Sequence, residues 1–189
     1  MIRSQKQIRY AISTILLCAS LSACQSVTES YKLSFHEDNE VISTENGIRI
    51  PPGLYAITKV SDGDTFWCMD DKGDKLKIRL IGIDAPEPRN YFNKKEQPFG
   101  REASAYAKEL LSDQVIKLSF DVDSIDPFGR TLAYAYFTDG TFINEKIVKD
   151  GYAVLMTIAP NVQYEDVFVK AQQHAKENKL GLWAKPVTE

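Results

Sequence analysis

The stretch "DTFWCMDDKGDKLKIRLIGID", residues 64–84, holds two strand-like runs joined by a turn. In "DTFWCMD" (64–70) and "KLKIRLIGID" (75–84), β-branched, aromatic and aliphatic residues dominate, and the "DDKGDK" between them supplies the Asp and Gly of a hairpin. Upstream, "GLYAITKV" (53–60) reads as a further strand, so the three form an antiparallel meander. Downstream, "FGREASAYAKELLS" places Ala103, Tyr106 or Ala107, Leu110 and Leu111 at helical spacing. Two more alternating runs, "QVIKLSFDV" and "RTLAYAYF", follow with "SIDPFG" between them. The segment "TFINEKIVKDG" carries Phe142, Ile143, Ile147 and Val148 on a helical stripe that Gly151 ends. A last helix, roughly 163–179, puts Tyr164, Val167, Phe168, Ala171 and Ala175 on one face before "LGLW", whose Trp183 is expected to pack back. The expected fold is mainly β with α, a five-stranded barrel of the OB type closed by about three helices, over residues 48–187. Fold alone does not name a task.

The start of the chain differs from the rest. Arg3, Lys6 and Arg9 lead into "YAISTILLCASLSA", an apolar stretch too short for a permanent membrane span and typical of a secretory signal over residues 1–23. Its end, "LSAC", resembles the lipobox of bacterial lipoproteins, which makes Cys24 the residue that carries the lipid; an ordinary cleaved signal with an incidental Cys is the plainer alternative. Residues 24–47, rich in Ser, Thr and Glu, read as a lipid-anchored linker reaching on the order of 25 Å if flexible. With Cys18 removed and Cys24 acylated, Cys68 has no partner, so the domain is expected to stand on its core without a disulfide. The expected location is a bacterial cell envelope, and Gln25 rather than Asp after Cys24 leans toward an outer membrane if the cell has one.

Charge excludes one way of binding polyanions. The signal carries three positive charges and no acid, so its removal takes the formal charge from −3 to −6. No global basic field remains to hold nucleic acid by counterion release, and any polyanion must meet locally placed arginines and lysines.

Two turns concentrate the acids. "VSDGDT" sets Asp62 and Asp64 around Gly63, and "IGIDAPEP" sets Asp84 and Glu87 around prolines. Acids at the ends of adjacent strands can converge on a hard cation, because calcium takes six or more oxygens from carboxylates and carbonyls. Each turn alone also reads as a solvated Asx-type or Pro-stiffened loop. Histidine-based metal chemistry has no support, since His36 lies in the linker and His174 on the last helix, neither with a partner at ligand spacing. Arg79 lies in the strand leading to Asp84, and Arg130 follows "DPFG". Two arginines beside acids suit phosphoryl chemistry, because guanidinium forks match phosphate oxygens while a metal neutralises the remaining charge.

"VSDGDT", "IRLIGIDAPEP", "FGREASAY" and "DPFGRTLAY", in this order and spacing, resemble the micrococcal-type thermonucleases over roughly residues 54–184. The resemblance implies that Asp64, Asp84 and the backbone carbonyl of Ala85 bind calcium directly, with Asp62 and Glu87 acting through water. It further implies that Glu87 activates or orients the attacking water, and that Arg79 and Arg130 hold the phosphate and stabilise its developing charge. Phe128 matches an aromatic beside the nucleotide, and Lys94 and Lys95 lie in a loop placed to contact phosphates. The chain departs from the pattern after "DGYAVLM", where Thr157 and Ala159 stand in place of two tyrosines that stack on the base. The expected activity is calcium-dependent hydrolysis of DNA and RNA with little sequence preference, by a monomer tethered to a membrane through Cys24; the alternative is an inactive binding module on the same barrel.

Overall fold

The computed structural model describes residues 42–44, 47–90 and 95–184. The signal segment, Cys24 and Lys94 lie outside the described residues, as does most of the linker. At the linker's far end, β1 (Ile42–Thr44) and β2 (Gly47–Arg49) pair antiparallel. The barrel strands are β3 (Tyr55–Val60), β4 (Thr65–Met69), β5 (Lys75–Leu80), β7 (Val115–Ser119) and β8 (Thr131–Phe137). They close in the order β3-β4-β5-β8-β7, with β5 and β8 parallel and the other pairs antiparallel. The helices are α1 (Gly100–Leu111), α2 (Ile143–Lys149) and α3 (Glu165–Glu177), followed by a 3-10 turn at Gly181–Trp183. The OB-type barrel with three helices is the expected architecture.

The β4–β5 hairpin closes as its turn residues dictate. Asp70 Oδ1 accepts the amides of Lys72 and Asp74, both at 2.9 Å, and Gly73 takes the positive φ of 91° that the turn requires. Phe66, Cys68 and Ile78 alternate into the barrel, where they pack with Leu80, Ile116, Ala133 and Tyr134. Helices α2 and α3 cover the barrel with Ile143, Ile147, Val148, Phe168 and Ala171.

The run "KLKIRLIGID" is not one strand. It breaks at Gly82, whose φ is +81°, and resumes as β6 (Gly82–Asp84), which leaves the barrel to pair with β9 (Val154–Met156). A Cβ at Gly82 would lie 2.2 Å from the Phe168 ring, so the glycine lets α3 seat against the bend. Asn144 fixes the same corner from inside: its Nδ2 donates to the Ile81 carbonyl at 2.9 Å, and its Oδ1 accepts the Ala135 amide at 2.9 Å. This break turns Asp84 away from the barrel strand toward the β4 turn that holds Asp64.

Candidate active site

The turn at 61–65 is built by its own backbone. Ser61 and Asp62 donate to the Thr65 carbonyl at 2.9 and 3.2 Å, and Asp62 Oδ1 accepts the Asp64 amide at 3.2 Å. Gly63 lies where a Cβ would come within 2.4 Å of Ala85 Cβ, so only a residue without a side chain lets the two acidic turns meet. They are joined there by the Ala85 amide, which donates to Asp64 Oδ2 at 2.7 Å, while Asp64 Oδ1 accepts the Thr65 hydroxyl at 3.0 Å.

Arg79 completes the junction. Its guanidinium pairs with Asp64 through Nη1 and donates from Nη2 to Asp84 Oδ1 at 2.8 Å, with only 7% of the residue exposed. Burial opposes its charge, but Asp64 and Asp84 outweigh burial and hold the guanidinium above its ordinary pKa. Burial, and then the charge of Asp64, push the Asp62 carboxyl up to about 6. Asp62, Asp64, Arg79, Asp84 and Ala85 thus lie together where the two acidic turns meet.

Glu87 is set by a clasp. Its amide donates to the Gln97 side-chain Oε1 at 3.0 Å, and the Gln97 amide donates back to the Glu87 carbonyl at 2.9 Å. Gly100, the first residue of α1, packs so closely that a Cβ there would lie 2.1 Å from the Glu87 carbonyl oxygen. The start of α1 is itself held, because Phe99 stacks on Tyr152 at 5.5 Å and Tyr152 on Tyr106 at 3.8 Å, and the Tyr106 hydroxyl donates to Asp150 at 2.5 Å. The position of Glu87 is therefore read from a packed helix end rather than from a free loop.

Arg130 rises from the turn "DPFGR". Asp126 Oδ1 accepts the amides of Phe128 and Arg130, both at 2.9 Å, and its Oδ2 accepts Arg130 Nε at 2.6 Å. Burial works against the charge of Asp126, but the Arg130 amide and guanidinium hold its carboxyl below the usual carboxylate range. Phe128 is 83% exposed, with its ring 5.5 Å from the Arg130 guanidinium carbon. Lys95 is exposed.

Arg79, Asp84, Phe128 and Arg130 all line one cleft of about 520 Å³. Asp62, Asp64 and Glu87 are not among its lining residues, and of the two positions that depart from tyrosine only Ala159 lines it. Its lining also has an aliphatic part, Ile125, Met156 and Ile158, all exposed. Gln97, Thr65 and Asn144 were not singled out from sequence. The signal for Asn144 was an amide residue inside an apolar helical stripe, a position where such side chains are placed only to bond backbone groups; nothing local marked Gln97.

The donor set is all oxygen, which fits a hard cation. Asp64 and Asp84 are brought together by the Arg79 guanidinium they share, the Ala85 amide binds Asp64, and half-buried Asp62 lies in the same turn as Asp64. Among the described residues no three acidic, histidine or cysteine side chains are grouped so that they could hold a metal ion. A cation between Asp64 and Asp84 would meet Arg79 already bound to both acids, the Asp84 carboxylate being the more exposed of the two.

Comparison with known proteins places the chain in a wider set. The family model described as staphylococcal nuclease homologue matches residues 77–185. The chain is 37% identical over 130 residues to the thermonuclease of Staphylococcus hyicus, covering 69% of this chain and 75% of that protein. It is 34% identical over 200 residues to the endonuclease YncB of Bacillus subtilis, covering 95% of this chain and 93% of that one. The S. hyicus alignment is the more similar and the YncB alignment the more extensive.

Proposed function

The chain belongs to the staphylococcal nuclease homologue family and is a nuclease that hydrolyses phosphodiester bonds; from that premise we propose a calcium-dependent endonuclease acting on DNA and RNA with little sequence preference. The observation that supports the reading most is the bridge from Asp64 through Arg79 to Asp84 at the wall of a cleft whose other cation is Arg130. Carboxylates for a cation and guanidinium groups for a phosphate thus border the same space.

In this reading Asp64, Asp84 and the Ala85 carbonyl hold the ion, with Asp62 acting through water. A calcium ion held by these groups would supply the positive charge that phosphoryl transfer calls for. Arg79, freed from Asp84, and Arg130 grip the phosphate and take up the charge that grows on its oxygens as the water oxygen bonds to phosphorus and the ester bond to the leaving sugar oxygen breaks. Glu87, fixed through its backbone, orients the water. Phe128 offers its exposed face to a nucleotide, and exposed Lys95 is available to phosphates outside the cleft. An inactive module on this barrel has less support, because every ionisable position of the constellation is filled.

We further assign the chain to a bacterial envelope, tethered as a monomer by lipid on Cys24. No helix among the described residues is long and apolar enough to cross a membrane, so in this reading the lipid is the anchor.

The test is cleavage of DNA and of RNA by the purified chain in calcium, in a calcium chelator, and in chelator with magnesium. Cleavage of both polymers in calcium and its loss in chelator are expected, with magnesium a poor substitute because it demands a tighter octahedron and keeps its waters. Full activity in chelator with magnesium would overturn calcium dependence.

A further inference from the structure

The outer face of the barrel continues the row of side chains that starts at Arg79. Strand pairing sets Thr65 opposite Arg79 and, one step along the same face, Trp67 opposite Lys77; beyond the bulge in β3, Lys59 stands opposite Trp67. The alternate positions Phe66, Cys68 and Ile78 are fully buried, so Lys59, Trp67 and Lys77 share the outward face. Lys77 Nζ lies 5.9 Å from the centre of the Trp67 ring, Trp67 is half-buried and Lys59 is exposed. Neither lysine makes an ion pair among the described residues. The acids of the adjoining hairpin sit at its far end, where Asp70 is engaged by the turn's own amides.

This arrangement has no part in the core or in the constellation around Arg79. On an acidic chain, an indole between two unpaired cations is a local exception to the charge balance, and it lies on the strand that carries Arg79. Lys77 is two residues, about 7 Å, from Arg79 along β5, so the row runs on from the cleft without a gap. We propose that Lys59, Trp67 and Lys77 form a binding track for single-stranded nucleic acid outside the cleft, the lysines on phosphates and the Trp67 ring stacked on an unpaired base. The inference rests on the nuclease reading and adds to it a preference for polymers whose bases are free. Basic side chains following the backbone and an aromatic face taking any base are what sequence-tolerant single-strand binding requires. Paired bases present no face to Trp67, so duplex gains only the lysine contacts.

The test measures binding of a labelled deoxythymidine oligomer of about 12 nucleotides, a length within the usual single-strand site range, in chelator so that nothing is cut. Lys59→Ala with Lys77→Ala should lower the slope of log affinity against log salt by about 1.4, since each single-strand phosphate contact contributes about 0.7. Lys108→Ala with Lys170→Ala, exposed lysines elsewhere, should leave it unchanged. Trp67→Leu should weaken binding about tenfold and Trp67→Phe should recover most of it. Melting curves identify a variant that fails to fold, and the Lys59 and Lys77 double variant keeps the test valid if Trp67→Leu does. An unchanged salt slope in the lysine double variant, or duplex of the same length bound as tightly as single strand, overturns the track. Cleavage of the same oligomer in calcium reads the parent proposal separately: wild-type chain that binds through these residues but never cuts leaves the track standing and removes the nuclease reading.

Discussion

Arg79 Nη2 donates to Asp84 Oδ1 at 2.8 Å while the other arm of the same guanidinium pairs with buried Asp64, so one cation serves two acids from two different turns. Arg79 is therefore the internal counter-ion of the two acids, and in the proposed reaction the same guanidinium would also grip the phosphate.

Arg79→Ala should accordingly do two things. Cleavage should fall by several kcal/mol of transition-state stabilisation, as the loss of a preorganised charge does. In chelator the variant should also lose about 3–5 kcal/mol of stability, because Asp64 is left buried without a counter-ion. Calcium should then raise its melting temperature more than that of the wild type, since ligand stabilisation grows with affinity and the competing cation is gone. Thermal unfolding with and without calcium reads this directly, and equal calcium shifts in both proteins would show that Arg79 does not compete for the acids.

Gln97 touches neither the cleft nor Arg79, yet it holds both backbone groups of Glu87. Gln97→Ala should lower kcat about five- to tenfold with KM unchanged, corresponding to about 1 kcal/mol for one hydrogen bond. Gln97→Glu, which keeps an acceptor for the Glu87 amide, should stay near wild type. In a Glu87→Gln background the same Gln97→Ala change should have almost no further effect. An undiminished effect there would mean that Gln97 acts on something other than Glu87.

Cys24→Ala should release the protein from membranes. One missing acyl attachment leaves an acidic domain with no described amphipathic anchor of its own. Fractionation of cells producing the variant gives the answer, and a signal-cleaved variant still in the membrane pellet would refute the tether.

Thr157 and Ala159 set the expectation for mononucleotides. Without two stacking rings, each worth about 1–3 kcal/mol, a nucleoside bisphosphate should bind with a Kd above about 1 μM, or less favourably than roughly −8 kcal/mol. Only Ala159 lines the cleft, so Ala159→Tyr should tighten binding and Thr157→Tyr should do far less. Calorimetry in calcium separates the two, and submicromolar binding by the wild type would mean that Ile125, Met156 and Ile158 replace the rings.

The barrel was readable because its strands alternate cleanly and its helices carry apolar stripes at the right period, and the acids and arginines were readable because their types fit one chemistry. What escaped was set by contacts distant in sequence. Gly82 sits inside an unbroken aliphatic run, and only Phe168, far downstream, gives the reason for the break. The three residues of β9 are too few to show a period, and their partner β6 was hidden in the longer strand. Arg79 was legible as a cation for phosphate but not as a bridge, since Asp64 and Asp84 come within its reach only once Gly63 has packed on Ala85.

The contact of Gly63 with Ala85 also bears on the order in which the site is assembled. Asp62, Asp64, Arg79, Asp84 and Ala85 come from one hairpin and its immediate extension, so this half closes through contacts short in sequence. The Arg130 turn and the aliphatic wall at 156–161 reach the cleft only after β8 has joined β5 in parallel and α3 has seated on Gly82, both long-range steps that form slowly. On contact order alone the acidic half is expected to form before the rim that carries Arg130, so any competence to cut is expected near the end of folding.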